Sequence, residues 1–373
     1  MKHLVALLVF FLAFYKISIF HPSLYGIFPF VLMFSFIFFF SSIRKEILIN
    51  INVNLAYWFL GFLFFCAIND TVGAGAKSFS TLLSVRLLSI IFLTLIPVIG
   101  LKYLLRSDYF LLKKVIFYAF ILQTGFWVAT FLSSDIKISL YSFMGHSNSV
   151  NLRSHNLMSR GFGFSTEINF TSPYVMVLVA FTLCYKALFR YGIFITQLFN
   201  SNNVLISFFT SLFFTADSNY RRLLYSFLVF FISVLFVYFS DVLGIIPRLS
   251  DELKAGGMRT LNILIQEHVH VLNANIFEHL FGTSLYIFDE NSSVRSDIGW
   301  LIIYNHSGAL GVLFALIIFI ILCFRAFGMG SIFFLWFFSA LWLNTKGLII
   351  SPNSFILMLL IFIFFNYRSA NRK

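Results

Sequence analysis

Charged residues are scarce in this 373-residue chain. Asp, Glu, Lys and Arg together make up only 11% of the sequence, whereas hydrophobic residues make up 60% and phenylalanine alone occurs 54 times. Because a soluble domain carries about 25% charged residues, this composition excludes a soluble globular protein. A bilayer core of about 30 Å needs about 20 apolar residues per helix. The sequence therefore predicts an all-α, polytopic integral membrane protein of about 10–12 transmembrane helices, with residues 1–373 as a single membrane domain.

Cysteine is also rare, and its positions exclude two further classes of site. Cys66, Cys184 and Cys323 each lie inside an apolar run, so we interpret them as small core residues and not as disulfide or metal partners. The net charge of +12 does not indicate nucleic acid. The basic residues fall in short loops between apolar runs, where a basic excess marks the cytoplasmic side of a membrane protein.

The apolar runs and the basic clusters together predict the orientation of the chain. Helices are predicted near residues 4–20, 24–43, 53–69, 80–101, 115–133, 168–189, 223–241, 298–324, 331–349 and 352–367. The basic clusters between them place both termini in the cytoplasm. Segment 191–216 is interrupted by polar residues between two basic clusters, which predicts a re-entrant or hairpin segment. Two long polar segments, about 134–167 and 242–297, then share the outer face.

The first outer segment ends in "SRGFGFSTEINFTSPY", directly before an apolar run. Arg153, Arg160 and Glu167 are its candidate functional residues. Arg160 lies a turn or two outside the predicted membrane boundary, and an arginine fork suits a phosphate group. Gly161 and Gly163 allow positive φ, which suits a loop that folds onto a ligand. Alternatively, Arg160 reaches lipid headgroups while Glu167 pairs with it or caps the next helix.

The second outer segment predicts one amphipathic helix between Gly256 and Gly282. Its polar stripe at 100° per residue contains Arg259, Asn262, Gln266, His270 and Asn273, whereas His268 and His279 fall on the apolar face. Positions i and i+2 of a helix point about 200° apart, so a helical His268-Val-His270 pair cannot chelate one ion. We therefore expect no metal site here.

Three ionisable residues lie at or inside predicted spans. Asp297 precedes a long apolar run and is either a functional carboxylate or a helix N-cap. His306 lies nine residues further on, and an ionisable residue inside a membrane helix is expected to face a bundle interior or a cavity. Arg86 lies about two turns below the predicted outer surface, where it reaches either the headgroups or an outer cavity.

Two patches of this sequence resemble the bacterial O-antigen polymerases and their relatives, the O-antigen ligases. The first patch is "RGFGFSTEINFTSPY", and the second runs from "GGMR" through "FEHLFGTSL" to "SDIGWLIIYNHSGALGVL". The resemblance implies a GT-C-like glycosyltransferase with two periplasmic loops, which works without a metal or cofactor at the periplasmic face of the bacterial inner membrane. Its substrates would be undecaprenyl-pyrophosphate-linked oligosaccharides as donor and acceptor. A chain-length regulator, a flippase and membrane lipids would be its other partners.

The resemblance also implies roles for individual residues. Arg160 and Arg259 would hold the pyrophosphate, with Arg86 and Arg153 as further candidates. Asp297 is our first candidate for the base, ahead of His270 and Glu167, and the other polar candidates are His306, Asn262 and Gln266.

Two departures from the ligase pattern favour a polymerase. Asp297 stands where ligases carry a histidine, and His306 stands where they tend to have an acidic residue. The alternatives are a ligase that transfers polymer to lipid A core and a flippase that moves a lipid-linked sugar without making a bond.

Overall fold

The computed structural model describes residues 2–17, 27–39, 53–72, 82–144, 163–165, 171–201, 203–216, 275–287 and 296–370, and a few positions in between, namely 218, 220, 221, 224, 227, 231, 266 and 268–272. These residues form helices and connections, and no strand occurs among them. The prediction of an all-α protein is confirmed over this part of the chain.

The helices follow one another along the sequence as α1 to α15. They are α1 (Lys2–Tyr15), α2 (Ile27–Phe39), α3 (Val53–Val72), α4 (Leu83–Ile90), α5 (Ile96–Leu104), α6 (Tyr109–Leu132), α7 (Ser134–Phe143), α8 (Thr171–Thr182), α9 (Ala187–Leu198), α10 (Asn203–Thr215), α11 (Ile276–Phe281), α12 (Gly299–Phe327), α13 (Ser331–Asn344), α14 (Ser354–Phe364) and α15 (Tyr367–Ala370). A π-helical turn, Ile91–Leu95, joins α4 to α5 without a break in the helix.

Four helical stretches are long and apolar enough to cross a membrane. They are Asn54–Val72, Leu83–Leu104, Tyr109–Leu132 and Gly299–Phe327. Six of the other helices are apolar but shorter. This is the pattern of an α-helical membrane protein, and the total number of spans and their sidedness stay predictions. The span predicted near 223–241 lies mostly outside the described residues.

The predicted span 168–189 is wrong at its second end. Helix α8 stops at Thr182, and Cys184 turns the chain with φ of 50° before α9 begins at Ala187. Helix α9 then covers part of segment 191–216 and ends at Leu198, and α10 begins at Asn203. The predicted interruption of that segment therefore coincides with the connection between two helices.

The chain divides into two compact units, and the first contains residues 1–35 and 100–258. In this unit α1 packs against α6, and α8 packs against α9 and α10. The Tyr15 hydroxyl donates a hydrogen bond to the Met176 sulfur, 3.3 Å away, which links α1 to α8. Every residue of α8 is buried. The first unit therefore has its core along α8.

The second unit contains residues 36–99 and 259–373 and is built around α12. Helices α3, α11, α13 and α14 all pack against α12, and α4 packs against α3. The Trp300 indole N–H donates to the carbonyl oxygen of Leu341, 3.1 Å away, and thereby joins α12 to α13. Most of the described candidate site residues belong to this unit.

Candidate functional site around Asp70 and His306

Helix α12 is broken at Gly308, whose φ of 63° and ψ of −164° are not helical. The carbonyl oxygens of Asn305 and His306 lie just before the break. The carbonyl of Asn305 accepts from the backbone and hydroxyl of Thr283 at 2.7 and 2.9 Å, and that of His306 accepts from the backbone of Ser284 and from the Asn69 amide, both at 3.2 Å. Because no water in a bilayer core can satisfy such carbonyls, these donors are what allows the break.

The chain that supplies these donors approaches α12 so closely that glycine is required on both sides. A Cβ atom on Gly282, where φ is 89°, would lie 2.3 Å from the carbonyl oxygen of His306. A Cβ atom on Gly308 would lie 2.4 Å from the carbonyl oxygen of Leu280. Real Cβ atoms do not come this close to backbone, and positive φ is a conformation that glycine adopts without steric cost. Gly282 also ends α11, as the sequence predicts.

His306 is fully buried in the second unit and lies between two polar partners. Its Nε2 atom is 2.9 Å from Oδ1 of Asp70, and its Nδ1 atom is 2.6 Å from Oγ of Ser307. The side chain of Asp70, near the end of α3, is only 4% exposed. This interior position is the one that the sequence predicted for His306.

Asp70 makes a second contact that ties three helices together. Its Oδ2 atom accepts a hydrogen bond of 2.9 Å from the backbone N–H of Ser84, in the first turn of α4. The residue at the N-cap position of α4, Leu82, has no side chain that could serve this end of the helix. A carboxylate satisfies free N–H groups there and interacts favourably with the helix dipole. Asp70 therefore joins α3, α4 and α12.

The Asn305 side chain holds a non-helical segment of the chain, residues 270–272, against α12. Its Oδ1 atom accepts from the backbone N–H of Leu272 at 2.8 Å, and its Nδ2 atom donates to the carbonyl of His270 at 2.7 Å. The Asn305 amide thus binds one backbone N–H group and one backbone carbonyl of this segment. These two hydrogen bonds replace bonds that the same groups would make within a helix. Residues 269–272 are accordingly not helical.

The prediction of one amphipathic helix from 256 to 282 is therefore wrong within its described part. A new helix, α11, begins only after Asn275, which forms a capping box with Glu278. Gln266 is exposed and does not share a helix face with His270. His279 is also exposed, and its Nδ1 atom is 2.7 Å from the Tyr304 hydroxyl instead of lying on a buried apolar face.

Asp297 lies beside His268 and not beside His270. Its backbone N–H donates to Nδ1 of His268 at 3.3 Å, and its Oδ2 atom is 3.8 Å from Nε2 of the same ring. Since Nδ1 accepts a hydrogen bond, the ring proton is on Nε2, which faces the carboxylate. The N-cap of α12 is Ile298, so the N-cap alternative for Asp297 is wrong. The carboxylate is 45% exposed and can meet a ligand.

Arg86, on α4, lies at the same end of the second unit. Its guanidinium carbon is 5.7 Å from the ring centroid of Tyr286, which meets the ring of His306 edge-on at 6.4 Å. The next residue, Ile287, accepts a hydrogen bond of 2.9 Å from the backbone N–H of Ser296. Contacts through Tyr286, Ile287 and Ser296 therefore link Arg86 to Asp297. Both Arg86 and Asp297 are partly exposed.

Several candidate residues lie outside the described residues. They are Arg153, Arg160, Glu167, Arg259 and Asn262. Of the stretch Ser159–Tyr174, which contains Arg160, the structure describes residues 163–165 and the first turn of α8 from Thr171, both in the first unit. Gly163 has the positive φ that the sequence predicts, and its N–H donates to the Thr130 hydroxyl at 3.1 Å. Phe164 donates from its backbone to the Gln123 side chain at 3.2 Å, so this segment folds onto α6.

Asp70 is the functional candidate that the sequence reasoning missed. The available signal was the pair Asn69-Asp70 at the end of the apolar run "YWFLGFLFFCAIND", where no basic residue stands near it in sequence. Asn69 matters as well, because its amide donates to the carbonyls of both Phe281 and His306.

The buried and the accessible residues of this site have different chemical capacities. His306 and Asp70 are sealed from solvent, and both histidine nitrogens already have partners, so this pair fixes the framework. Arg86 can bind an anion, and Asp297 can accept a proton. Among the described residues no group of three His, Cys, Asp or Glu side chains could hold a metal ion. No family model, no curated protein and no solved structure matches this chain.

Proposed function

We propose that this protein is an O-antigen polymerase, a GT-C-like membrane glycosyltransferase that joins undecaprenyl-pyrophosphate-linked repeat units at the periplasmic face. The observation that carries the proposal is that a cation, Arg86, and a carboxylate, Asp297, are both partly exposed in the same unit and are linked by contacts through Tyr286, Ile287 and Ser296. The two patches that resemble the polymerases of this class support the same conclusion.

The reaction would transfer the growing glycan from its lipid to the acceptor. A hydroxyl oxygen of the acceptor sugar forms a bond to C1 of the donor glycan while the bond between C1 and the pyrophosphate oxygen breaks. The pair of electrons leaves with the lipid pyrophosphate. Arg86, together with Arg160 and Arg259 from the outer segments, would stabilise the negative charge that grows there, because guanidinium groups offer fixed charge and paired donors.

Asp297 would take the proton of the attacking hydroxyl. A positioned base of this kind contributes about 10²–10⁴-fold to a rate. The Nε2–H of His268 faces the carboxylate and would help to orient it. His306 is unsuited to this role because it is buried with both ring nitrogens engaged, and His270 is the second candidate. Asp297 thus remains the preferred base.

The test is complementation of a deletion strain, read on a lipopolysaccharide gel at matched protein level. We expect Asp297→Asn and Arg86→Ala to reduce long chains strongly, and Arg160→Ala and Arg259→Ala to do the same. Lys114→Gln, at an exposed position of α6, is the control and should restore them fully.

The deletion itself separates the alternative functions. Loss of a polymerase leaves core with one repeat unit. Bare core with accumulated lipid-linked polymer would indicate a ligase, and single lipid-linked units stranded on the cytoplasmic side would indicate a flippase. Either of the latter patterns would overturn the proposal.

A further inference from the structure

An apolar groove of about 310 Å³ runs between α3, α4, α12 and α14 in the second unit. Aliphatic and phenylalanine side chains line it, among them Phe59, Ile91, Ile318 and Leu360. A single charged side chain, that of Arg325, completes the lining. The groove is therefore apolar along its length, and the side chain of Arg325 contributes to its wall at one point.

The same unit contains a second cavity that serves as an internal comparison. It measures about 370 Å³ and lies between α12 and α13, with Val312, Leu316 and Phe338 in its wall. No charged residue lines it. Two cavities of similar size and apolar character thus differ in whether a cation is present.

The length of the groove suits part of a hydrocarbon chain. Ile356 and Phe364 both line it from α14, and eight residues of helix span about 12 Å. Leu60, on its rim, is 52% exposed, so the groove opens sideways from the unit. The π-helical turn contributes Ile91 and Leu95 to the wall, and such turns are frequent at functional sites.

A second arginine, Arg368, lies near the residue that precedes Arg325 in α12. Arg325 is exposed in the last turn of α12. The guanidinium carbon of Arg368 is 5.9 Å from the ring centroid of Phe324, the neighbour of Arg325. A basic residue at the end of a helix is favourable for the helix dipole alone. The helix-dipole effect would be the same if Arg325 pointed away from the groove. Recognition of a phosphate next to a hydrocarbon chain instead requires the arginine to lie beside an apolar groove.

We propose that this groove binds one acyl chain of an anionic phospholipid whose phosphate contacts Arg325. Lipid-linked substrate is the less suitable occupant. Arg325 and Asp297 lie at opposite ends of the 29-residue α12, and a straight helix of that length spans about 43 Å. Although α12 is broken at Gly308, the part from Gly308 to Arg325 alone spans about 25 Å, so a phosphate held at Arg325 is remote from Asp297. In the predicted orientation Arg325 faces the cytoplasmic leaflet, where anionic lipids attract basic residues. This proposal does not rest on the proposed enzymatic function.

Native mass spectrometry of the full-length protein in mild detergent tests the proposal. Phosphatidylglycerol and phosphatidylcholine with identical acyl chains are added in turn. We expect wild type to bind phosphatidylglycerol about tenfold more tightly, which corresponds to about 1.4 kcal/mol. Arg325→Gln should abolish this preference, and Ala56→Phe, which fills the groove, should reduce binding of both lipids. Val312→Phe, which fills the uncharged cavity, is the matched control and should retain wild-type binding.

A measurement on the unmodified protein keeps the test independent of folding defects. A phosphatidylglycerol with a diazirine in its acyl chain should crosslink to residues such as Leu60 and Phe364 in preference to Leu316. Equal binding of the two lipids, crosslinks only at Leu316, or displacement of phosphatidylglycerol by an equimolar amount of undecaprenyl phosphate would each overturn the proposal.

Discussion

Replacing Asp70 with alanine should be among the most damaging single changes in the second unit. The substitution leaves Nε2 of His306 without its partner at 2.9 Å and removes the acceptor of the Ser84 N–H at the start of α4. The substitution leaves the buried His306 ring and the Ser84 N–H without their partner, and at about 1–3 kcal/mol for each group the two together cost about 3–5 kcal/mol. We therefore expect Asp70→Ala to lower the free energy of unfolding by roughly that amount.

Asp108 provides the matched control for this prediction. It also accepts hydrogen bonds at a helix N-terminus, from the backbone of Phe110 and Leu111 at the start of α6, but in an exposed position. Loss of an exposed cap costs typically about 1 kcal/mol. The expected difference between Asp70→Ala and Asp108→Ala is thus about 2–4 kcal/mol, and it isolates the effect of burial and of His306.

Unfolding by SDS titration in mixed micelles would measure both variants. A double-mutant cycle with His306→Ala should then give a coupling energy of about 1–3 kcal/mol between the two residues. Asp70→Asn should be milder than Asp70→Ala because an amide oxygen still accepts a hydrogen bond. Equal costs for Asp70→Ala and Asp108→Ala, or a coupling energy near zero, would refute the structural reasoning about the pair.

Three further predictions concern other positions. Gly308→Ala should lower the free energy of unfolding by about 1–3 kcal/mol, because position 308 has a positive φ and no space for a Cβ atom. Gly125→Ala is the control, since the space around it is open, and it should have no such effect. Thermal unfolding of both variants tests this difference. Asn305→Leu should increase proteolysis or hydrogen exchange in residues 269–272, which lose both side-chain hydrogen bonds; unchanged protection there would contradict the assignment. Burial lowers the pKa of Lys137, on α7, from 10.5 to about 8, so the unfolded chain binds more protons between these values. Stability should rise across this pH range by up to about 3 kcal/mol in wild type relative to Lys137→Met, and parallel profiles would exclude this effect.

The sequence predicts the positions of helices well where composition alone decides them. The apolar runs at 53–69, 115–133 and 298–324 correspond to α3, α6 and α12, because about 20 apolar residues in succession have few alternatives to a helix. Gly282 was identifiable as a helix end, and His306 as an interior residue. Each of these inferences needs only local sequence and the requirement that polar groups avoid lipid.

The remaining features depend on partners that are distant in sequence. The helix predicted over 256–282 fails because Asn305 competes for the backbone of residues 270–272. Asp297 lies one residue before the N-cap of α12, and its backbone N–H donates to the ring of His268, which lies 29 residues earlier in the sequence. The role of Asp70 could not be predicted from the sequence, because its partner, His306, lies 236 residues away. Periodicity reports the pattern of one helix and contains no information on which other segment packs against it.

The break in α12 has a consequence for the order in which the chain is made. Its stabilising partners, Asn69, Asp70, Thr283 and Ser284, all precede Gly308 in the sequence. During translation, the residues that donate to the carbonyls of Asn305 and His306 are therefore synthesised before Gly308. The same holds for Asp70, the partner of the His306 ring. The carbonyls beside the break in α12 can find their hydrogen-bond donors as soon as that helix is synthesised. They do not depend on α13 or α14. The order of synthesis therefore does not require an intermediate in which these carbonyls lack partners.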